Sequence, residues 1–144
     1  MTRRKVDLPA GVVQRLVPTS GTWGRIYTAA PAGTSPYLAY QTEAQLDAAE
    51  VEFCQRFGFA TYHTHDSQRS EAGFPDRCID TPDMLWVLEN KGWQPGRKRY
   101  GTPTLAQTDW LTSLDRKPSI TARLVYPWQW PALATEILRS AGKL

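Results

Sequence analysis

The sequence has few of the residues that build disulfide-stabilised or membrane-spanning proteins. Its 144 residues include two cysteines and two histidines, and no stretch approaches the roughly 20 consecutive apolar residues that a membrane-spanning helix needs. The basic start Arg3-Arg4-Lys5 is not followed by the apolar run of a signal peptide. These absences predict a soluble, cytoplasmic protein. Cys54 and Cys78 are expected to stay reduced, because a domain of this size needs no disulfide.

The composition otherwise predicts one ordinary globular domain. Hydrophobic residues make up 41% and charged residues 22% of the chain, which excludes disorder throughout. Lys and Arg total 17 against 14 Asp and Glu, giving a net charge of +3, and the basic residues cluster at Arg3–Lys5 and Arg97–Arg99. Two interpretations stay open, a surface that binds a polyanion such as nucleic acid or a solvated basic surface.

Residues 1–41 are predicted to form an N-terminal arm of turns and short strands. This segment is rich in Pro, Gly, Ser and Thr and shows no long helical periodicity. Within it, Thr22–Tyr27 alternates bulky and small residues and is a weak candidate for an edge strand.

Residues 42–144 are predicted to form the folded domain. Its first helix begins at Thr42, which is spaced from Gln45 as a capping box, and ends at Phe57 before Gly58. The other predicted elements are strands at 60–64, 77–80 and 84–88, a helix starting at Thr104, a strand at 120–126, a helix at 131–138, and loops at 66–73 and 92–102. This order indicates an α/β protein with one central sheet.

Charged residues concentrate at the end of the predicted buried strand 84–88. Side chains alternate along a strand, so Glu89 and Lys91 project from one face and Asn90 from the other. A hairpin brings Asp76 alongside Glu89. Unpaired charges at the end of a buried strand cost several kcal/mol. A Mg²⁺ ion, which binds carboxylate and carbonyl oxygens, would relieve the repulsion between the two carboxylates. The pattern favours phosphodiester hydrolysis, with a simple strand-end ion pair as the alternative.

The motifs Gly73-Phe74-Pro75-Asp76 and Glu89-Asn90-Lys91 resemble those of the PD-(D/E)XK nucleases, and within them the VRR-NUC family. The resemblance covers residues 42–130. Further positions that match the family pattern are the acidic Glu43 in the first helix, the loop His65-Asp66-Ser67-Gln68-Arg69-Ser70, the pair Thr104 and Gln107, and Trp110-Leu111.

The resemblance implies a restriction-endonuclease-like α/β fold, a mixed central sheet flanked by helices with an αβββαβ core. It implies that Asp76, Glu89 and the backbone carbonyl of Asn90 bind Mg²⁺ or Mn²⁺. It also implies that Lys91 is the catalytic lysine, that Glu43 is an auxiliary acid, and that Gln107 contacts the substrate or a water molecule. Two of these residues have plainer alternatives. Glu43 would interact favourably with the positive end of the helix dipole, and Gln107 would complete a capping box.

A second group of residues is expected to contact DNA: His65, Arg69, Ser70, Trp93, Arg97, Lys98 and Arg99. The first three belong to the loop that matches the family pattern, although His65 is equally well explained as a structural histidine. The last four lie in a loop that interleaves aromatic and basic residues, which suits stacking and phosphate contacts. Trp93 could instead only cover that loop.

Together these features predict a metal-dependent DNA endonuclease. The resemblance implies a structure-selective enzyme for branched, flapped or Holliday-junction-type DNA, expected in a bacterium or phage. Because one site cuts one strand, symmetric cutting predicts a homodimer. Two alternatives remain, a DNA-binding module of the same fold that cuts nothing, and a nuclease for RNA or for a specific duplex sequence.

Overall fold

The computed structural model of the protein describes residues 12–14, 25–64 and 72–144. Its strands are β1 (Val12–Gln14), β2 (Arg25–Tyr27), β3 (Ala60–His63), β4 (Arg77–Thr81), β5 (Met84–Asn90), β6 (Trp93–Gln94), β7 (Arg99–Tyr100) and β8 (Ile120–Val125). Its helices are α1 (Pro36–Ala39), α2 (Glu43–Phe57), α3 (Leu105–Asp115) and α4 (Trp130–Ser140), with a 3-10 turn at Pro127–Gln129. The order of helices and strands confirms the predicted α/β class.

Four strands form the central mixed sheet in the order β3-β4-β5-β8. The first three are antiparallel neighbours, and β8 pairs parallel with β5 after the chain crosses over through α3. In the β4–β5 hairpin Arg77 lies opposite Leu88. Asp76, the residue before β4, is therefore carried to the level of Glu89.

Helix α2 begins and ends where its sequence predicts. Thr42 accepts a hydrogen bond from the backbone N–H of Gln45 at 3.2 Å, and the Gln45 side chain accepts one from Thr42 N–H at 3.0 Å. Gly58 ends the helix in the left-handed conformation, with φ of 74°. The buried side of the helix carries a glutamate, Glu50, among apolar residues.

The main hydrophobic core lies between the sheet and helices α2 and α4. Its buried members are Leu46, Phe53, Cys54, Ile79, Trp86, Leu88, Val125, Trp130, Leu133 and Ile137. Helix α4 starts beside Pro131, as predicted, because proline suits the first turn of a helix. Burial of this apolar surface holds both helices against the sheet.

A second, aromatic cluster joins the segment before α2 to the far end of β8. Tyr27, Tyr100 and Tyr126 are its buried members. The Tyr100 hydroxyl donates to the Ala39 carbonyl at 2.6 Å, and the Tyr126 hydroxyl donates to the Gly101 carbonyl at 2.9 Å. Part of the predicted arm thus packs against residues of the 42–144 segment.

The predicted loop at 92–102 is wrong, because this segment contains a short antiparallel hairpin of β6 and β7. Lys98 turns the chain with φ of 50°. The hairpin depends on packing of Tyr100 into the aromatic cluster, a long-range contact that the local polar composition does not reveal.

The predicted arm of turns and strands also contains a short helix, α1. Ser35 accepts a hydrogen bond from the Leu38 N–H at 3.3 Å, and Pro36 occupies the first turn. The weak strand candidate at 22–27 is confirmed for Arg25–Tyr27, which pairs with β1.

Cys54 and Cys78 are both free thiols, as predicted. Among the described residues, no helix combines the length and apolarity that crossing a membrane requires.

Candidate functional site

The candidate site lies where the end of β5 meets the starts of α2 and α3. Two glycines allow this close approach. A Cβ atom at Gly92 would lie 2.6 Å from the Glu43 backbone nitrogen, and one at Gly73 would lie 2.5 Å from the carbonyl carbon of Ala106. Gly73 also has φ of 81°, which other residues rarely adopt. Side chains at these two positions would therefore collide with the starts of α2 and α3.

Glu89 is the centre of the site. It is 1% exposed, and its Oε1 accepts a hydrogen bond from Gln107 Nε2 at 2.8 Å and lies 3.2 Å from Lys91 Nζ. Its other oxygen, Oε2, is buried without a hydrogen-bond partner in the described part of the chain. Glu89 and Lys91 thus lie on one face of β5, as the strand alternation predicts.

Asp76 is held beside Glu89 by the backbone. Its Oδ2 accepts a hydrogen bond from the Asn90 N–H at 2.8 Å. This bond and the hairpin register confirm the predicted approach of Asp76 to the end of β5.

The electrostatics of the site reflect this crowding of carboxylates. Burial raises the pKa of Glu89 to about 8, the Asp76 carboxylate adds to the rise, and Lys91 opposes it. Partial burial of the carboxyl group also raises the pKa of Glu43, with Lys91 opposing and Asp76 adding. Three acidic groups and one lysine therefore share a small volume, and the balance of charge is unfavourable for the ionised carboxylates.

On the opposite face of β5 the Asn90 side chain donates from Nδ2 to Oε1 of Glu50 at 2.5 Å. Glu50 is fully buried, and burial raises its pKa to about 8, an effect that the hydrogen bond from Asn90 and the nearby Arg77 oppose. Arg77 lies with Nε 3.8 Å from Glu50 Oε1. Its guanidinium forms a two-pronged ion pair with Asp47, at 2.8 and 3.0 Å. These contacts hold the end of β5 on the face opposite Glu89.

An open cleft of about 400 Å³ adjoins the site. Its lining residues are Glu43, Ala44, Asp47, His63, Asp76 and Asn90. The floor of the cleft is therefore rich in carboxylates.

The residues present fit a hard divalent cation in donor type. Asp76 and Glu89 offer carboxylate oxygens, and the buried, unpartnered Oε2 of Glu89 is a group that a cation would satisfy. Within the described ranges, no group of three or more His, Cys, Asp and Glu side chains is arranged to hold a metal ion. Two carboxylates with several waters are a usual environment for Mg²⁺, so the fit is to a partly hydrated ion.

The structure brings together five predicted site residues: Glu43, Asp76, Glu89, Lys91 and Gln107. The capping role of Gln107 is confirmed, since its Oε1 accepts from the Thr104 N–H at 2.9 Å, and its Nε2 at the same time holds Glu89. One side chain thus caps α3 and holds Glu89, while its contact with substrate or water stays a prediction.

The predicted DNA contacts fall into two sets. His65, Arg69 and Ser70 lie outside the described residues. Arg97, Lys98 and Arg99 are exposed on the β6–β7 hairpin. Trp93 is half-buried, with its ring centroid 5.2 Å from that of Tyr40 and 5.0 Å from that of Tyr100. Its contact with DNA stays a prediction.

Sequence reasoning missed Glu50, Asp47 and Arg77. Glu50 carried a usable signal, because it lies four residues after Leu46 and three before Phe53 on the buried stripe of α2. A glutamate on an apolar helix face is costly unless it is neutral or paired. The partner, Asn90, lies 40 residues away and has no such signal.

Comparisons with known proteins leave the site to be interpreted from its own geometry. No protein-family model matches the chain, and searches of curated proteins and of solved structures found no match.

Proposed function

We propose that this chain is a metal-dependent DNA endonuclease of the PD-(D/E)XK type, with a restriction-endonuclease-like fold and a VRR-NUC-like site. The observation that carries the proposal is the environment of Glu89. One of its oxygens is held by Gln107 and Lys91 while the other is buried without a partner beside a second carboxylate, Asp76. A strand-end ion pair would need neither the second carboxylate nor the glutamine.

Asp76, Glu89 and the carbonyl of Asn90 would hold Mg²⁺ or Mn²⁺, which supplies Lewis-acid stabilisation of phosphate charge when bound. Gln107 fixes the orientation of Glu89 through its 2.8 Å hydrogen bond. Because Gln107 is itself tied to the start of α3, the position of Glu89 is set by two elements.

Lys91 is suited to orient the attacking water or to stabilise negative charge on the phosphate. An ammonium group has three donors, and the contact with Glu89 at 3.2 Å uses one. The other two donors are available for a water molecule or a phosphate oxygen. Glu43, at the start of α2, lies near this lysine and is suited to accept a proton from a water molecule.

The test is cleavage of end-labelled linear, flapped and four-way-junction DNA with Mg²⁺, Mn²⁺ or EDTA. Asp76→Asn should abolish metal-dependent cutting, and Lys91→Met should slow it by about 100- to 1000-fold, the usual effect of removing one donor to a developing charge. The matched controls are Asp83→Asn, in the exposed turn between β4 and β5, and Lys117→Met, exposed beyond α3.

Two outcomes would contradict the proposal. Binding without cutting under every metal would favour the non-catalytic DNA-binding module. Full activity in Lys91→Met would remove the lysine from the mechanism. Replacing the DNA arms by RNA in the same assay separates the two polymers as substrates, and paired nicks in a junction would indicate the expected homodimer.

A further inference from the structure

A chain of aromatic rings leads from the aromatic cluster to an exposed tyrosine. The centroids of Tyr40 and Trp93 are 5.2 Å apart, those of Trp93 and Tyr100 are 5.0 Å apart, and those of Tyr100 and Trp128 are 5.1 Å apart. Tyr100 is buried, whereas Tyr40 is 59% exposed. Tyr40 is thus an exposed ring in edge-to-face contact with Trp93, which in turn contacts the buried Tyr100.

Tyr40 and Trp93 belong to the two chain segments that adjoin the candidate site. The Trp93 N–H donates to the Gln41 carbonyl at 2.8 Å, which joins the two segments. Trp93 follows Lys91 by two residues and Tyr40 precedes Glu43 by three. Since consecutive Cα atoms are about 3.8 Å apart, Trp93 cannot lie far from the lysine.

The neighbouring hairpin supplies positive charge. Arg97, Lys98 and Arg99 are exposed at its tip, and residues 93–101 include no Asp or Glu. Tyr100, at the end of the hairpin, is anchored to the Ala39 carbonyl, so the basic residues are held near α1. An exposed ring beside exposed cations matches a single-stranded nucleic acid, which offers both free base faces and phosphates.

We propose that Tyr40, braced by Trp93, stacks on an unpaired base of the single-stranded segment that leads to the cleaved phosphodiester, while Arg97–Arg99 contact its phosphates. In a paired duplex the base faces are already stacked on one another, so the ring favours flapped or branched DNA. This inference rests on the proposed nuclease function and assigns the residue that recognises an unpaired base.

The test is binding of fluorescein-labelled DNA in EDTA, where no cleavage occurs, followed by anisotropy. Three probes share one duplex: fully paired, with a thymidine flap, and with a flap of abasic residues that keeps the phosphates. Tyr40→Ala should weaken binding of the thymidine flap about tenfold and leave the paired duplex unchanged. Tyr40→Phe should bind like the wild type, because it keeps the ring.

Tyr62→Ala is the matched control, since Tyr62 is 67% exposed on β3 and should leave all affinities unchanged. The wild-type protein should itself bind the abasic flap about tenfold more weakly than the thymidine flap, a comparison that needs no folded variant. Equal binding of the two flaps by the wild type, or equal binding of the thymidine flap by Tyr40→Ala, overturns the proposal.

The two proposals fail in different ways. Base-dependent flap binding without cleavage in Mg²⁺ or Mn²⁺ would retain the stacking site and reject the nuclease. Cleavage of flaps that does not depend on the base or on Tyr40 would reject the stacking site and retain the nuclease. Unpaired RNA and unpaired DNA offer the same base faces, so an RNA flap is included to compare the two. Tighter binding of the RNA flap than of the DNA flap would overturn the assignment to DNA.

Discussion

At the scale of single residues, the end of β5 separates two buried carboxylic acids. Glu89 lies on one face with Lys91, and Glu50 lies behind the other face against Asn90. Burial raises both pKa values to about 8, because a low-dielectric interior disfavours the charged form. The folded protein therefore holds protons at neutral pH that the unfolded chain releases, which makes its stability depend on pH.

The Glu50→Gln variant should be less sensitive to pH than the wild type. Between the ordinary pKa of 4.5 and the folded value of about 8, the folded state binds the proton more tightly. The free energy of unfolding therefore falls as pH rises from about 5 to 8, by up to about 1.4 kcal/mol per pH unit for one group. Glutamine keeps a hydrogen bond to Asn90 and cannot titrate, so this slope should become smaller.

Urea unfolding in EDTA at a series of pH values measures that slope. Glu52→Gln is the matched control, because Glu52 is exposed on the same helix and its replacement should leave the slope unchanged. A Glu50→Gln slope equal to that of the wild type would mean that Glu50 is ionised in the folded protein.

At the scale of elements, α2 and α3 both begin with a capping box. Only in α3 does the glutamine of the capping box also contact a residue of the site, Glu89. Both helices start with a threonine and a glutamine in a capping box. In α2 the glutamine, Gln45, is exposed, whereas in α3 the amide nitrogen of Gln107 also reaches Glu89. The chain thus contains its own control for separating helix capping from the effect on the site.

Gln107→Ala and Gln45→Ala should differ in activity more than in stability. Each variant loses a capping interaction of about 1 kcal/mol. In Gln107→Ala the Glu89 Oε1 also loses its 2.8 Å hydrogen bond but keeps the contact with Lys91, so the main effect is on the orientation of Glu89. Cleavage of flapped DNA should fall in Gln107→Ala and stay at the wild-type rate in Gln45→Ala. Similar cleavage by both variants would restrict Gln107 to its capping role.

Gly92→Ala should destabilise the protein, because its Cβ would collide with the backbone at the start of α2. Overpacking of this kind costs about 1–3 kcal/mol. Gly96→Ala is the matched control, since a Cβ there meets nothing within 4 Å and the change should stay within about 0.5 kcal/mol. Thermal unfolding of the two variants tests the close approach, and equal midpoints would contradict it.

At the scale of the whole molecule, opposite charges lie side by side. The cleft is lined by Glu43, Asp47 and Asp76, while the β6–β7 hairpin next to it carries three exposed basic residues. A polyanion would be repelled by the cleft unless cations compensate, so binding of DNA requires the hairpin, a bound metal ion, or both.

Neutralising Arg97, Lys98 and Arg99 together to Gln should reduce the salt dependence of DNA binding. Each phosphate contact contributes about 0.9 to the slope of log affinity against log salt, so the slope should fall by about 2 to 3 units. The control removes the same charge from Arg116, Lys117 and Arg139, which are exposed on other elements. A slope unchanged by the hairpin variant would place DNA on another surface.

The local patterns in the chain were sufficient to predict most of the helices and strands. Capping boxes, the stop at Gly58 and the apolar run of β5 act between residues a few positions apart, so their spacing is visible in the sequence. The same is true of Glu89 and Lys91, whose shared face follows from strand alternation. The hairpin at 93–100 was not predicted because aromatic residues far away in the sequence stabilise it.

Which buried groups meet depends on how distant segments pack. Gln107 reaches Glu89 across 18 residues, and Asn90 reaches Glu50 across 40. Spacing along the chain cannot specify such pairs, because many arrangements of the same helices and strands would satisfy the local patterns. The three-dimensional packing selects one of them, since the close approach at Gly92 and burial of the apolar core bring the polar groups of the site together.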